Sequence, residues 1–441
     1  MSTVREAPQR TRGRLGWLDA LRGIAALVVV FEHALEPLLP EARSAVKAVF
    51  EPGWYGVMVF FLVSGYIVPA SLERRGSVRA FWTSRLFRLY PLFGVCVAGM
   101  ALLVAMGWDE GDVWWDSRPV SLALGHLTML QNLLYMPNVV NVLWTLSYEM
   151  AFYLLLTAMF VLGVNRGSTT GALGFAAVAV LGAGVLPAGL LSNGSSSRML
   201  TVTLLVTALV AAGLTAVLRG SDAVRRVGAV VCGGTVLVLL AVNQSYPGPW
   251  QGLVIMATMF AGTALYRAER GEIPWGRAGW TVLVPLAGIW LGRDEFGVQT
   301  ATIAAWLTFA AGMALRHRGV PRALAWLGVV SYSIYLLHPL LLESVDHLWP
   351  EPQSVPLGTR LVALAGVVAV LLGLSALTWR FVEAPAQRLG RRVASRKDRT
   401  DRTEDTDRTD QTDRTEQADL TDRRAGMAPS CPKEPCRPDR G

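Results

Sequence analysis

Apolar residues fall along this chain in long runs, not in the short alternations of a soluble sheet. Twelve runs lie near residues 21–39, 55–72, 89–106, 143–163, 172–191, 200–218, 228–243, 251–266, 279–291, 299–315, 325–347 and 360–381. Runs of about 18–20 residues with few charges are long enough to cross a bilayer as helices. Within hydrocarbon every backbone amide must find its partner inside the segment, so the runs predict helices. The ninth run is short and Pro339 interrupts the eleventh. The expected fold class is therefore all-α, a polytopic transmembrane helical bundle of about 10–12 spans. A further stretch, 120–135, holds His126, Gln131 and Asn132 and is too polar to cross easily. It predicts a re-entrant or interfacial helix. The first run, from Leu21 to about Leu39, is followed by no small-residue cleavage site, so it reads as a retained span.

Composition supports this reading. Of 441 residues 52% are hydrophobic and 17% charged, against about 25% charged in a soluble domain. The net charge of +8 would raise the question of nucleic acid in a soluble chain. Here topology explains it better. If the N-terminus is cytoplasmic, the stretches between runs on that side hold 19 Lys and Arg, and those on the other side hold 5. Retention of positive loops in the cytoplasm produces such a bias. Both termini are then cytoplasmic, in a multi-pass protein of the plasma or inner membrane.

Three regions follow: a basic N-terminus at 1–20, a membrane domain at 21–390 and a charged tail at 391–441. The tail repeats Asp-Arg-Thr at 398–400, 401–403, 407–409 and 413–415. It has too few apolar residues to bury a core, and disorder is expected. Cys96 and Cys232 lie in apolar runs, whereas Cys431 and Cys436 lie in the tail at a spacing that matches no metal site. Neither a metal nor a bound cofactor is expected. No phosphate-cradling glycine loop, HExxH or GxSxG occurs, which leaves an ATPase, zinc protease or α/β-hydrolase unsupported. No long-period repeat of the kind found in two-halved transporters is visible.

Ionisable groups inside spans are costly and usually functional. Arg22 and His33 stand eleven positions apart in the first run. On a helix that separation is 20° past three turns, so both side chains share one face, about 16 Å apart. A guanidinium at the cytoplasmic edge can grip phosphates bidentately, and a neutral imidazole deeper in can take a proton from a hydroxyl. Glu32 is adjacent to His33 but points about 100° away, so it need not be the partner. Gly56, Ser64 and Gly65 in the second run permit close helix approach. Arg85 and Arg88 share a face at the entrance of the third run, either as snorkelling anchors or as a phosphate clamp with Arg22. Glu149 begins the fourth span and could meet and orient His33. Trp144, Tyr148 and Tyr153 accompany it. In the eleventh run Ser331, Tyr335 and His338 stack on one face, with Tyr332 beside them. For each of these residues a packing role is the plain alternative.

Taken in order, five elements resemble the integral membrane acyltransferase family called acyltransferase-3. They are Leu18-Asp-Ala-Leu-Arg22-Gly-Ile-Ala-Ala with His33, Gly56 through Gly65, Arg85 to Pro91, Trp144 to Tyr153, and Ser331 to His338. The closing Phe381-Val-Glu-Ala-Pro385 is similar to the family's end, and the likeness spans roughly residues 15–390. Members include O-acetylases of bacterial cell-surface polysaccharides and macrolide acyltransferases. The resemblance implies that the Arg22/His33 and Arg85/Arg88 elements are needed for activity, with an acyl-CoA donor on the cytoplasmic side. Members usually have about ten spans and the runs here number twelve, so two middle segments would be fused or added. No esterase-like domain follows the membrane region, so transfer would finish within it.

The function expected is O-acylation, acetyl before longer chains, of a carbohydrate or macrolide-like acceptor at the lipid bilayer. Arg22, Arg85 and Arg88 are the candidate donor-binding residues; His33 and Glu149 are the candidate catalytic pair. Ser64, Trp144, Tyr148, Tyr153, Tyr332, Tyr335 and His338 are candidates for binding the acceptor or lining the cavity. A transporter of a polar solute or lipid-linked sugar is the rival from another class, because it too needs buried His, Glu and Arg. A non-catalytic sensor would instead tolerate single changes at Arg22, His33 and Glu149.

Overall fold

A computed structural model describes residues 16–108, 118–182, 184–291 and 295–394. The repetitive tail, Cys431 and Cys436 lie outside the described residues. Among those residues there are fourteen α-helices and no strand. They are α1 Gly16–Leu38, α2 Pro40–Val49, α3 Pro52–Arg75, α4 Val78–Ala105, α5 Pro119–Thr128, α6 Trp144–Val161 and α7 Ser168–Gly182. Then follow α8 Ser196–Arg219, α9 Asp222–Val242, α10 Pro249–Glu269, α11 Trp275–Leu291, α12 Phe296–Ala314, α13 Arg322–Leu348 and α14 Leu357–Thr378. A π-helical turn, Trp379–Glu383, carries α14 on to Ala394.

Eleven of the twelve apolar runs lie almost wholly on helices, whereas in 172–191 the helix ends at Gly182, and the chain is a multi-pass membrane protein. Among the described residues eight helices are long and apolar enough to cross a membrane: α3, α4, α6, α8, α9, α12, α13 and α14. The other four runs fall on α1, α7, α10 and α11. Of these α1 carries Asp19, Arg22, Glu32 and Glu36, while α7 and α11 have 15 and 17 residues. Pro339 does not break α13, which runs unbroken for 27 residues. Neighbouring helices supply the packing that lets a membrane helix tolerate such a proline.

Residues 120–135 form the ten-residue α5 and then an irregular, buried stretch. The polar side chains that disqualified it as a span are what satisfy it. Gln131 Nε2 donates to the Leu143 carbonyl at 3.0 Å, and Ser147 Oγ accepts from the Asn132 amide at 3.2 Å. Irregular backbone is tolerated at membrane depth only where protein encloses it.

A central group of helices, α1, α3, α6, α10 and α13, forms the core. The apolar windows of α3 and α6 are 78% and 83% buried, whereas that of α14 is 17% buried and offers its side chains to lipid. Glycine sets the spacing in this core. A Cβ on Gly328 of α13 would lie 2.0 Å from the Asp19 carbonyl of α1, and one on Gly65 of α3 would lie 2.0 Å from the Met259 carbonyl of α10. With no side chain between them the backbones touch, which is the usual basis of helix association in lipid. Because Gly23 meets Gly328 and His33 meets His338, α1 and α13 run parallel.

Candidate functional site

The Arg22-to-His33 face of α1 looks into two cavities stacked along the helix. The first, at the Arg22 end, has an empty volume of about 540 Å³. Arg22, Arg88 and Glu149 give it charge, and Ser64, Thr145 and Tyr332 give it hydroxyls. Val57, Phe60, Phe61 and Leu89 supply most of the remaining wall, so the space suits a thin chain with a charged end. Arg88, Asp19 and Glu149 are the charged neighbours of Arg22. Two guanidiniums therefore share one small volume, a geometry that favours an anion between them.

The second cavity, at the His33 end, has an empty volume of about 1100 Å³. Glu32, His33, Lys47 and Glu51 line it, with Trp144 and Tyr246 opposite. The Trp144 and Tyr246 rings meet edge to face at 5.1 Å. Val57 and Tyr335 border both cavities, so they form the partition between them. Tyr335 is held in that partition by Thr145 Oγ1 at 3.0 Å and by donation to the Val142 carbonyl at 3.2 Å.

His33 is set up in one tautomer. Its Nδ1 faces two acceptors, the Val29 carbonyl at 3.0 Å and Glu32 Oε2 at 2.9 Å. Neither can donate, so Nδ1 carries the proton and Nε2 keeps its lone pair. The ring is 28% exposed in the cavity, while the Glu32 side chain is 8% exposed. Glu32 Oε1 in turn accepts from Lys47 Nζ at 2.5 Å, and Lys47 reaches Glu51 at 3.2 Å. Burial works against the Lys47 ammonium, yet the Glu32 and Glu51 carboxylates outweigh it and raise its pKa above that of an ordinary lysine.

Two other histidines share the same donation to a carbonyl one turn back, His126 to Leu122 at 2.9 Å and His338 to Ile334 at 3.2 Å. Their Nε2 atoms differ. That of His126 accepts from the Val139 amide at 3.2 Å, which closes its valence and makes it a structural residue. That of His338 is fully buried without a partner among the described residues, and its ring lies edge-on to His33 at 4.9 Å between centroids.

Several expected placements need correction. Glu149 does not reach His33. It stands in the Arg22 cavity and accepts from the Tyr153 hydroxyl. Glu149 is five residues beyond Trp144, about 7.5 Å along α6, enough to leave the His33 cavity for the next. The carboxylate at His33 is Glu32 instead. Arg85 is buried and does not line the donor-side cavity; its guanidinium lies 5.2 Å from the centroids of both Phe81 and Tyr153. Tyr148, Tyr153 and His338 back the cavities without lining them. Tyr148 is tied to Gln244 at 2.7 Å, and the ring of Tyr153 is fully covered. Ser64 and Tyr332 line the Arg22 cavity, Trp144 lines the His33 cavity and Tyr335 borders both. Lys47 had no signal in the sequence, because α2 is short and fully buries none of its residues.

Comparison with known proteins agrees with the architecture. A family model described as an acyltransferase domain, acyltransferase-3, matches residues 15–379. Nodulation protein 10 of Rhizobium leguminosarum bv. viciae is 26% identical over 412 residues, covering 88% of this chain and 98% of that protein. Acyltransferase MdmB of Streptomyces mycarofaciens is 32% identical over 152 residues, covering 32% of this chain and 38% of that protein. No solved structure matches the chain.

Proposed function

The chain belongs to the acyltransferase-3 family, and on that premise we propose that it moves an acyl group, acetyl before longer chains, from an acyl-CoA to a hydroxyl of a carbohydrate or glycosylated acceptor. The observation that carries this reading is the shared face of α1. One end presents Arg22 to a narrow cavity with Arg88, the other presents His33 to a wide one, and Val57 and Tyr335 line both.

In this reading the donor phosphates bind Arg22 and Arg88, from the cytoplasmic side of the cell membrane. Glu149 offsets the guanidinium charge until the phosphates arrive. The pantetheine arm runs past Ser64, and the thioester reaches the partition. The acceptor sits against Trp144 and Tyr246, whose rings suit the apolar face of a sugar. His33 Nε2 takes the proton of the acceptor hydroxyl as its oxygen attacks the thioester carbonyl carbon. The carbon–sulfur bond then breaks, and the imidazolium returns the proton to the departing thiolate. The products are an ester and free CoA.

The test is His33→Ala, assayed in membranes with radiolabelled acetyl-CoA and normalised to protein amount. A positioned general base contributes about a hundredfold to ten-thousandfold, and label transfer is expected to fall by that order. Unchanged transfer at normal protein level would overturn the assignment. Mass spectrometry of surface glycans and small metabolites from a deletion strain identifies the acceptor, since acylation adds a fixed mass and transport adds none.

A further inference from the structure

We propose that Glu32 and Lys47 act as a positioning pair for His33, so that turnover depends on α2, a helix outside the spanning bundle. The inference rests on the acyl-transfer reading above and adds to it a second helix.

The geometry is a chain of contacts. Lys47 Nζ holds Glu32 Oε1 at 2.5 Å, and Glu32 Oε2 holds His33 Nδ1 at 2.9 Å. One carboxylate oxygen is thereby assigned to each partner. A Cβ on Gly53 of α3 would lie 3.0 Å from Glu32 Oε2, so the glycine leaves the room in which the carboxylate turns toward the imidazole. This is why Glu32 meets its neighbour although the two side chains leave α1 about 100° apart.

Lys47 is itself held by backbone. The Glu51 amide donates to the Gly297 carbonyl at 3.0 Å, and Thr300 Oγ1 donates to the Val49 carbonyl at 2.5 Å. A Cβ on Gly297 would lie 1.9 Å from the Lys47 carbonyl, so α12 and α2 touch without a side chain between. At the other end of α2, Arg360 of α14 pairs with Glu41 at 2.6 Å. A short helix with no fully buried residue is thus fixed at both ends beside the cavity, with Ala42 and Val46 packed on the end of α1.

The charge balance suits a base that becomes a cation. The charged and titratable groups around His33 are Glu32, Lys47 and His338, with Glu36, Arg43 and Glu51 in the same cavity. Glu36 and Arg43 pair with each other at 3.3 Å. Glu32, Lys47 and Glu51 together carry one net negative charge while His33 is neutral, and none once it has taken the acceptor proton. The cluster is already arranged for the imidazolium. Removing Lys47 frees the Glu32 carboxylate to leave Nδ1, after which only the Val29 carbonyl holds the tautomer.

The experiment uses the full chain in native membranes with radiolabelled acetyl-CoA as the probe, following label transferred and CoA released at a series of donor concentrations. Lys47→Met is expected to lower kcat about tenfold with donor KM unchanged, as loss of an orienting partner does when the base itself remains. Lys47→Arg is expected to recover most of that turnover, and Glu32→Gln to lose more than Lys47→Met. The double variant is expected to be no worse than Glu32→Gln alone, because partners in one network do not lose their effects twice. Wild-type turnover in Lys47→Met overturns the proposal, and so does multiplication of the two losses in the double variant. Equal damage from Lys47→Arg and Lys47→Met at normal protein level also overturns it, since only a general folding role predicts that. His33→Ala separates this proposal from the reading beneath it. If His33→Ala abolishes transfer while Lys47→Met leaves it intact, the pair fails alone; if His33→Ala leaves transfer intact, both fail.

Discussion

The two cavities along α1 are built on opposite plans. At the Arg22 end, charge is concentrated in a small, mainly apolar space where two guanidiniums face one carboxylate. At the His33 end, a larger space is lined by alternating acids and bases, each already paired: Glu32 with His33 and Lys47, Lys47 with Glu51, Glu36 with Arg43. Excess charge of one sign attracts a ligand of the other, whereas paired charge orients its own members and leaves a neutral ligand to hydrogen bonds and ring faces. The first plan fits a phosphorylated donor and the second a polyhydroxylated acceptor. The difference also separates what each end contributes: affinity at one, an aligned base at the other.

The sharpest way to break the comparison is to remove the frame both cavities share. Gly328→Leu sets a side chain where the Asp19 backbone already stands. Overpacking alone costs about 1–3 kcal/mol where neighbours can move, and a backbone carbonyl cannot. Loss of monodisperse protein in detergent size-exclusion chromatography is the expected result, with both cavities lost together. Next, Arg22→Ala or Arg88→Ala is expected to raise donor KM about tenfold to hundredfold, the scale of a lost charge-assisted hydrogen bond. Acceptor KM should stay constant in the same assay. Trp144→Ala is the converse, with acceptor KM rising several-fold, on the order of 1 kcal/mol for a lost ring contact, and donor KM unmoved. The smallest effect is that of Arg85→Met. Its guanidinium lies against two rings and outside the cavity, so about 1–2 kcal/mol of stability should go. A lower melting temperature with unchanged donor KM checks it, and a raised donor KM would return Arg85 to the donor site.

Hydrophobic periodicity made the helices legible, because each apolar run of spanning length has one way to satisfy its backbone in lipid. The common face of Arg22 and His33 was legible too, since it depends only on helical pitch. Contacts between helices were not. The Gly23–Gly328 approach requires knowing that α1 and α13 are parallel neighbours, which no local pattern encodes. Similar depth along their helices makes Glu149 a candidate partner of His33, but depth does not settle which cavity a side chain enters. Helical angle alone points Glu32 away from His33, but a carboxylate with rotatable bonds and an empty place beside Gly53 is not bound by that angle. The Pro40–Val49 helix had no signal because its apolar side is short, Ala42 and Val46 against the end of α1, and its other anchors lie on α12 and α14, remote in the chain.

The partition of Val57 and Tyr335 has a consequence for the cell as well as for the reaction. A bilayer's hydrocarbon is about 30 Å thick, and two hollows in line along one helix share this pair of side chains as a common wall. Tyr335 is anchored by two hydrogen bonds, so the plug is stiff. Whatever passes it must fill the gap as it goes, or protons and small ions would follow and discharge the membrane.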